Sequence, residues 1–140
     1  MLLPQPTTRW PSVILVVAGF YNLAWAAWMI ASPRDSFFWA GLEDPAKPLN
    51  YPQLWQGLGL LVGVFGLGYL FAASNPVRHG GIVLVGLVSK VFGGLASVIA
   101  AATGQGSQWA VVVSLFNDMI WWVPFLLVIR HAHLFRRVVV

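Results

Sequence analysis

Cysteine is absent from this chain of 140 residues, and charge is scarce. Without a thiol there is no disulfide, no thiolate-held metal or iron–sulfur cluster, and no cysteine nucleophile or peroxidatic thiol. Lys and Arg number 8 and Asp and Glu number 4, so charged residues make up 9% of the chain. An average soluble domain carries roughly 25%. Twelve charges do not build a water-facing surface around a single unit of this length. The net charge of +4 is not a nucleic-acid signature either, because the basic residues are scattered and form no stripe along which a phosphate backbone could run. Missing too are a Ser-His-Asp set, a phosphate loop and a carboxylate dyad.

What the chain has in abundance is apolar sequence, at 59% of its residues. A helix that spans a bilayer needs about 20 mostly apolar residues. Four segments qualify, at residues 12–31, 53–73, 81–103 and 109–129. Pro33, Pro52, the segment SNPVRHG and the segment TGQGSQ punctuate them. The first run is long for a secretory signal and contains Asn22, Trp25 and Trp28, so it is expected to remain as a span. The short later loops make spans 2, 3 and 4 antiparallel neighbours. The predicted fold is an all-α membrane protein, a single four-helix antiparallel bundle occupying residues 1–140.

Basic residues set the direction of insertion. Arg9, Arg78, Arg130, Arg136 and Arg137 fall on one side and Arg34 and Lys47 on the other, which predicts cytoplasmic N- and C-termini in a bacterial inner membrane. Arg78, Arg130, Arg136 and Arg137 are the expected contacts to anionic lipid headgroups. Between spans 1 and 2, SPRDSFFWAGL offers Ser32 as a cap, Pro33 at the first helical position and Asp35 near the positive end of the helix dipole. A short helix over residues 33–41 is predicted in the outer interface, with Phe37, Phe38 and Trp39 as anchors.

Two formal charges lie inside the spans, Lys90 and Asp118. At a rise of about 1.5 Å per residue, Lys90 lies roughly 15 Å from one face and Asp118 roughly 13–14 Å from the other, so both reach mid-membrane. Asn22 arrives at the same depth. A lone charge there costs about 2.5–3.5 kcal/mol on insertion scales, and an opposite charge at matching depth on a neighbouring helix removes most of that cost. The predicted cluster is therefore Lys90 paired with Asp118, with Asn117 and Asn22 completing the hydrogen bonds. Helical spacing places Gly86, Lys90, Gly93, Gly94 and Ser97 on one face of span 3. Ser114, Asn117, Asp118, Trp121 and Phe125 share a face of span 4, and Ala18, Asn22, Trp25, Ala26 and Met29 a face of span 1. Span 2 carries Gly57, Gly59, Gly63, Gly66 and Gly68, a small-residue face for close packing inside the bundle or against a partner. No histidine reaches membrane depth, since His79, His131 and His133 all sit at the cytoplasmic margin, and no metal site is predicted.

The segments NYPQLWQ, GVFGLGY, NPVRHGGIVLVGLVSKVFGG and FNDMIWWVPF resemble a family of small four-span bacterial membrane proteins whose members are often labelled alkyl hydroperoxide reductase. That label conflicts with the missing cysteine. The architecture is also similar to DoxX-like four-helix proteins, some of which accompany redox enzymes as membrane subunits. Motif positions match at Gln53, Trp55, Gln56, Asn75, Arg78, His79, Lys90, Asn117, Asp118, Trp121 and Trp122, and the resemblance implies a shared polar site without naming a reaction.

Three functional readings follow. The first is a non-catalytic membrane subunit that packs against other membrane subunits, or against itself, in a larger complex. The alternative is a small carrier or proton-handling protein working through Lys90 and Asp118. The third is a membrane enzyme acting on a lipid-soluble substrate such as a quinone. No cofactor is expected in the chain itself, beyond a bound lipid or a pigment or quinone held together with partners.

Overall fold

The computed structural model describes residues 8–42 and 48–138, with side chains as far as residue 134. The loop residue Lys47 and the side chains of Arg136 and Arg137 lie outside the described residues. The protein is all-helical: α1 (Trp10–Ala31), the short α2 (Pro33–Trp39), α3 (Pro52–Ala73), α4 (Gly80–Ala102), α5 (Gln108–Asn117) and α6 (Trp122–Val138). Four stretches are long and apolar enough to cross a membrane, the fourth formed by α5 and α6 together over Gln108–Leu134.

Proline opens α1, α2 and α3 within their first two positions, where its missing N–H has no partner to lose. Ser107 caps α5, its hydroxyl accepting from the Ala110 N–H at 3.0 Å.

The bundle divides into two pairs. α1 packs antiparallel on α3 through the glycine-rich face. A Cβ on Gly59 would meet Met29 at 2.9 Å, one on Gly63 would meet Ala26 at 3.2 Å, and one on Gly66 would meet the Gly19 carbonyl at 2.9 Å. The two backbones approach this closely because those positions have no side chain. Gly68 faces Ile82 of α4 instead, and Gly57 faces open space. The second pair is α4 against the α5–α6 span. Here α4 is the helix with gaps: the Asp118 carboxylate lies against Gly93 and the Trp122 ring against Gly94, while Gly86 admits the Tyr69 ring from α3.

The two pairs join through a dry core at the end of the bundle where the chain begins. Leu15, Ala18, Tyr69, Ala72, Val83, Phe125 and Val128 are fully buried there, with the Tyr69 and Phe125 rings edge-on at 4.9 Å. At the other end α2 folds back over the bundle. Its aromatic residues stack inward on the spans rather than standing alone at an interface: Phe37 lies 5.2 Å from Trp55, and Trp39 lies 5.7, 5.3 and 6.0 Å from Trp25, Trp28 and Trp109. The Trp55 indole N–H donates to the buried Ser36 hydroxyl at 2.9 Å, and that of Trp109 to the Trp39 carbonyl at 2.6 Å. Gly41 follows with φ of +73°, and a Cβ there would collide with the Trp109 ring and the Ser107 hydroxyl.

One expectation is corrected. The fourth span is not a continuous helix over residues 109–129. It leaves α-geometry at Asp118 (φ −120°, ψ −59°), makes a single 3-10 turn at Met119–Trp121, and resumes as α6. Pro124 supplies the reason. It has no N–H for the Ile120 carbonyl, and its ring clashes with that carbonyl in a straight helix, so the preceding turn must shift. The kink also carries the helical rise beyond residue 129, to Val138.

Candidate functional site

The break in the fourth span sits opposite Lys90. In a regular helix the Trp121 N–H would bond to the Asn117 carbonyl; here it bonds to the Asp118 carbonyl at 3.1 Å, in 3-10 fashion. The Asn117 carbonyl is thereby released, and the Lys90 ammonium donates to it at 2.7 Å. The Phe116 carbonyl accepts from the Tyr21 hydroxyl at 3.2 Å. Non-helical backbone at membrane depth is tolerated where its groups find partners inside the protein. Here a cation also lies at the C-terminal, negative end of a half-helix, where the aligned peptide dipoles favour it.

Lys90 and Asp118 form an ion pair, Nζ to Oδ1 at 3.5 Å, with the two side chains 8% and 15% exposed. Around this pair the cluster closes from three elements. The ammonium also donates to Asn22 Oδ1 at 3.3 Å, and the Asn22 amide donates to the Val62 carbonyl at 3.3 Å, which ties α1, α3 and α4 together. On the other side, Asp118 Oδ2 accepts from the Ser114 hydroxyl at 2.9 Å and Oδ1 accepts weakly from the Asn117 amide at 3.4 Å. The ammonium thus has three acceptors within reach, which is the full donor capacity of a lysine.

The structure places the other residues singled out in the sequence away from this cluster. Arg78 and Arg130 are exposed at the end where the chain begins, the same end at which Trp10 meets His131 with ring centroids 5.4 Å apart. Trp121 lies against Tyr21 and Phe125, and Trp122 against Gly94, so neither indole enters the polar cluster. Gly59, Gly63 and Gly66 are consumed in the α1–α3 contact and leave no glycine face for a partner there. Among the described residues no three His, Asp or Glu side chains converge as a metal site would require.

Three contributors were not assigned a role from sequence: the hydroxyls of Tyr21 and Ser114 and the Asn117 carbonyl. Ser114 stood on the right face of its span, one turn before Asp118, and that spacing was its signal. The released carbonyl was signalled by Pro124. Tyr21 had none beyond adjacency to Asn22.

The cluster is the floor of a cleft of about 540 Å³ between the two helix pairs. Leu58, Leu61, Val62 and Phe65 form one apolar wall, and Gly93, Ala96, Val113 and Ser114 the facing one. Trp25, Trp55, Ala40 and Leu42 surround its upper end, beneath α2. The lining residues Leu58 and Leu61 are 50% and 58% exposed and Ser89 and Ala96 are exposed as well, so the cleft opens sideways between α3 and α4. Below the cluster the Tyr69–Phe125 core closes the bundle. Comparison with known protein families, curated proteins and solved structures returns no match.

The pair has a measurable consequence for folding. Asp118→Asn leaves a buried ammonium without its counter-charge and should destabilise the bundle by about 3–5 kcal/mol, whereas Lys90→Met with Asp118→Leu, which removes both charges, should recover most of that loss. Thermal unfolding in mild detergent checks both variants. Wild-type stability in Asp118→Asn would mean that the two charges do not share one site.

Proposed function

We propose that this integral membrane protein binds a lipid-soluble small molecule in the cleft between α3 and α4, with the Lys90–Asp118 cluster as the polar end of the site. The observation that carries this reading is the asymmetry of the bundle about its charges. One side of the cluster is a dry plug of fully buried Tyr69, Phe125, Leu15, Val83 and Val128, and the other is a cleft of ligand size, within the roughly 300–1,000 Å³ range of small-molecule sites. A route for ions across the membrane needs openings on both sides, and in the plug the one polar side-chain group among those core residues is the buried Tyr69 hydroxyl. The small-residue face that close packing against a partner would use is partly taken, since span 2 spends three of its five glycines on α1. An apolar, laterally open cleft ending on a few convergent polar groups suits a molecule that arrives from the lipid phase.

The reading includes an orientation in a bacterial inner membrane. Arg9, Arg78 and Arg130 share the plugged end and Arg34 lies at the cleft end, so the positive-inside rule puts the plug on the cytoplasmic side and the cleft in the outer leaflet. Reporter fusions at the C-terminus and in the loop at Gly104–Gly106 should then report cytoplasmic and external locations respectively. The same compartment for both would contradict the four-span topology.

The binding reading is tested by what the protein retains. Gentle extraction followed by mass spectrometry of the small-molecule fraction should find a lipid-soluble compound in near-stoichiometric amount with the wild type. A Val113→Trp variant, which fills the cleft from α5, should lose it while keeping its oligomeric state and thermal stability. Equal recovery from the two proteins, or a compound bound by neither, would remove the cleft as the functional site.

A further inference from the structure

The polar end of the cleft is unbalanced in its hydrogen bonding. Most donors near it are committed: the Lys90 ammonium to Asp118, Asn22 and the Asn117 carbonyl, the Ser114 hydroxyl to Asp118 Oδ2, and the Ser97 hydroxyl to the Gly93 carbonyl, while the Asn117 amide keeps one N–H beyond its weak bond to Asp118 Oδ1 and the Ser89 hydroxyl lines the open side of the cleft. The acceptors are not used up. Asp118 Oδ2 receives one hydrogen bond, from Ser114, and a carboxylate oxygen accommodates two. Asn117 Oδ1 is buried and receives none from the protein. Both residues line the cleft. Gly93 lines it too, and a Cβ there would stand 3.2 Å from Asp118 Oδ2, so a side chain at that position would crowd the carboxylate.

Charge decides what kind of donor fits. Lys90 already offsets the Asp118 carboxylate at 3.5 Å, and the remaining polar groups of the cluster are neutral amides, carbonyls and hydroxyls. A cationic head would add an uncompensated charge at membrane depth, which is costly. A neutral hydroxyl would satisfy an orphaned buried acceptor at no such cost.

We infer that the ligand of the cleft is a neutral, hydroxyl-headed amphiphile, an alcohol or phenol on an apolar body, whose O–H donates to Asp118 Oδ2 or Asn117 Oδ1 beside Gly93. This rests on the cleft being the binding site and narrows its ligand to one class of head group. Head groups that only accept hydrogen bonds, such as a carbonyl or an ether, leave both of these acceptors unsatisfied.

The test uses the full chain in lipid nanodiscs and a diazirine-bearing long-chain primary alcohol, with labelled residues mapped by mass spectrometry. Unlabelled long-chain alcohol, its methyl ether and the primary ammonium of equal length serve as competitors. The expected result is labelling of Leu58, Val62 or Val113, competed by the alcohol and roughly tenfold less well by the ether, the ratio for one neutral hydrogen bond in a dry site. The ammonium should also compete less well than the alcohol. In Gly93→Ala the advantage of alcohol over ether should vanish, and Asn117→Ala reads the same loss if Gly93→Ala does not fold. Equal competition by alcohol and ether, stronger competition by the ammonium, or an undiminished preference in the variants overturns the head-group assignment while leaving the cleft as a binding site. Labelling that no competitor reduces overturns both.

Discussion

A lysine ammonium at mid-membrane must find anionic or dipolar partners inside the protein, and the bundle is arranged to supply them. Lys90 reaches a carboxylate, a side-chain amide and a main-chain carbonyl at 3.5, 3.3 and 2.7 Å. The shortest of these contacts exists because the fourth span stops being an α-helix at Asp118. Pro124 forces the preceding turn to shift, the shift frees the Asn117 carbonyl, and the freed carbonyl takes the ammonium. At that depth the released carbonyl and the ammonium satisfy one another.

The same arrangement divides the molecule into unlike halves. Toward the chain's beginning, Tyr69, Phe125 and their neighbours interlock, helped by Gly86, whose missing side chain admits the Tyr69 ring. Toward the other end the helix pairs diverge, because α1 and α3 are held together by glycines while α3 and α4 meet mainly through the lower core. The resulting gap is roofed at its upper end by α2, which tryptophan contacts and a hydrogen bond to the Trp39 carbonyl hold in place. The polar cluster sits where the plug meets the cleft.

Much of this was legible in the sequence for physical reasons. Runs of about 20 apolar residues have one stable environment, and proline and glycine punctuation marks their ends. Counting residues at the helical rise brought Lys90, Asp118 and Asn22 to one depth, and the pairing followed from the cost of leaving either charge alone. The short helix after Pro33 was also readable from its proline, although the Ser32 side chain makes no capping hydrogen bond. What could not be read were features set by tertiary geometry. The period of an α-helix carries no information about a 3-10 turn, so Pro124 signalled a kink without saying which carbonyl it would release. The glycines of span 2 fitted an internal or an external neighbour equally well until α1 was seen to occupy them. A cleft is the space between elements and has no residue pattern of its own, and Gly93 gained its meaning only from the carboxylate that packs against it.

The central claim is that Lys90 and Asp118 are in contact in the bilayer, and a dipolar-recoupling measurement by solid-state NMR tests it most directly. Protein labelled with 15N at lysine Nζ and 13C at aspartate Cγ, reconstituted in lipid, should show an Nζ–Cγ coupling of direct-contact strength, consistent with Nζ and Oδ1 at 3.5 Å. That coupling should be lost in Lys90→Met, which assigns it to this pair. A spectrum in which the wild type and Lys90→Met dephase identically would contradict the account, because the charges would then be apart and each would need another partner at mid-membrane.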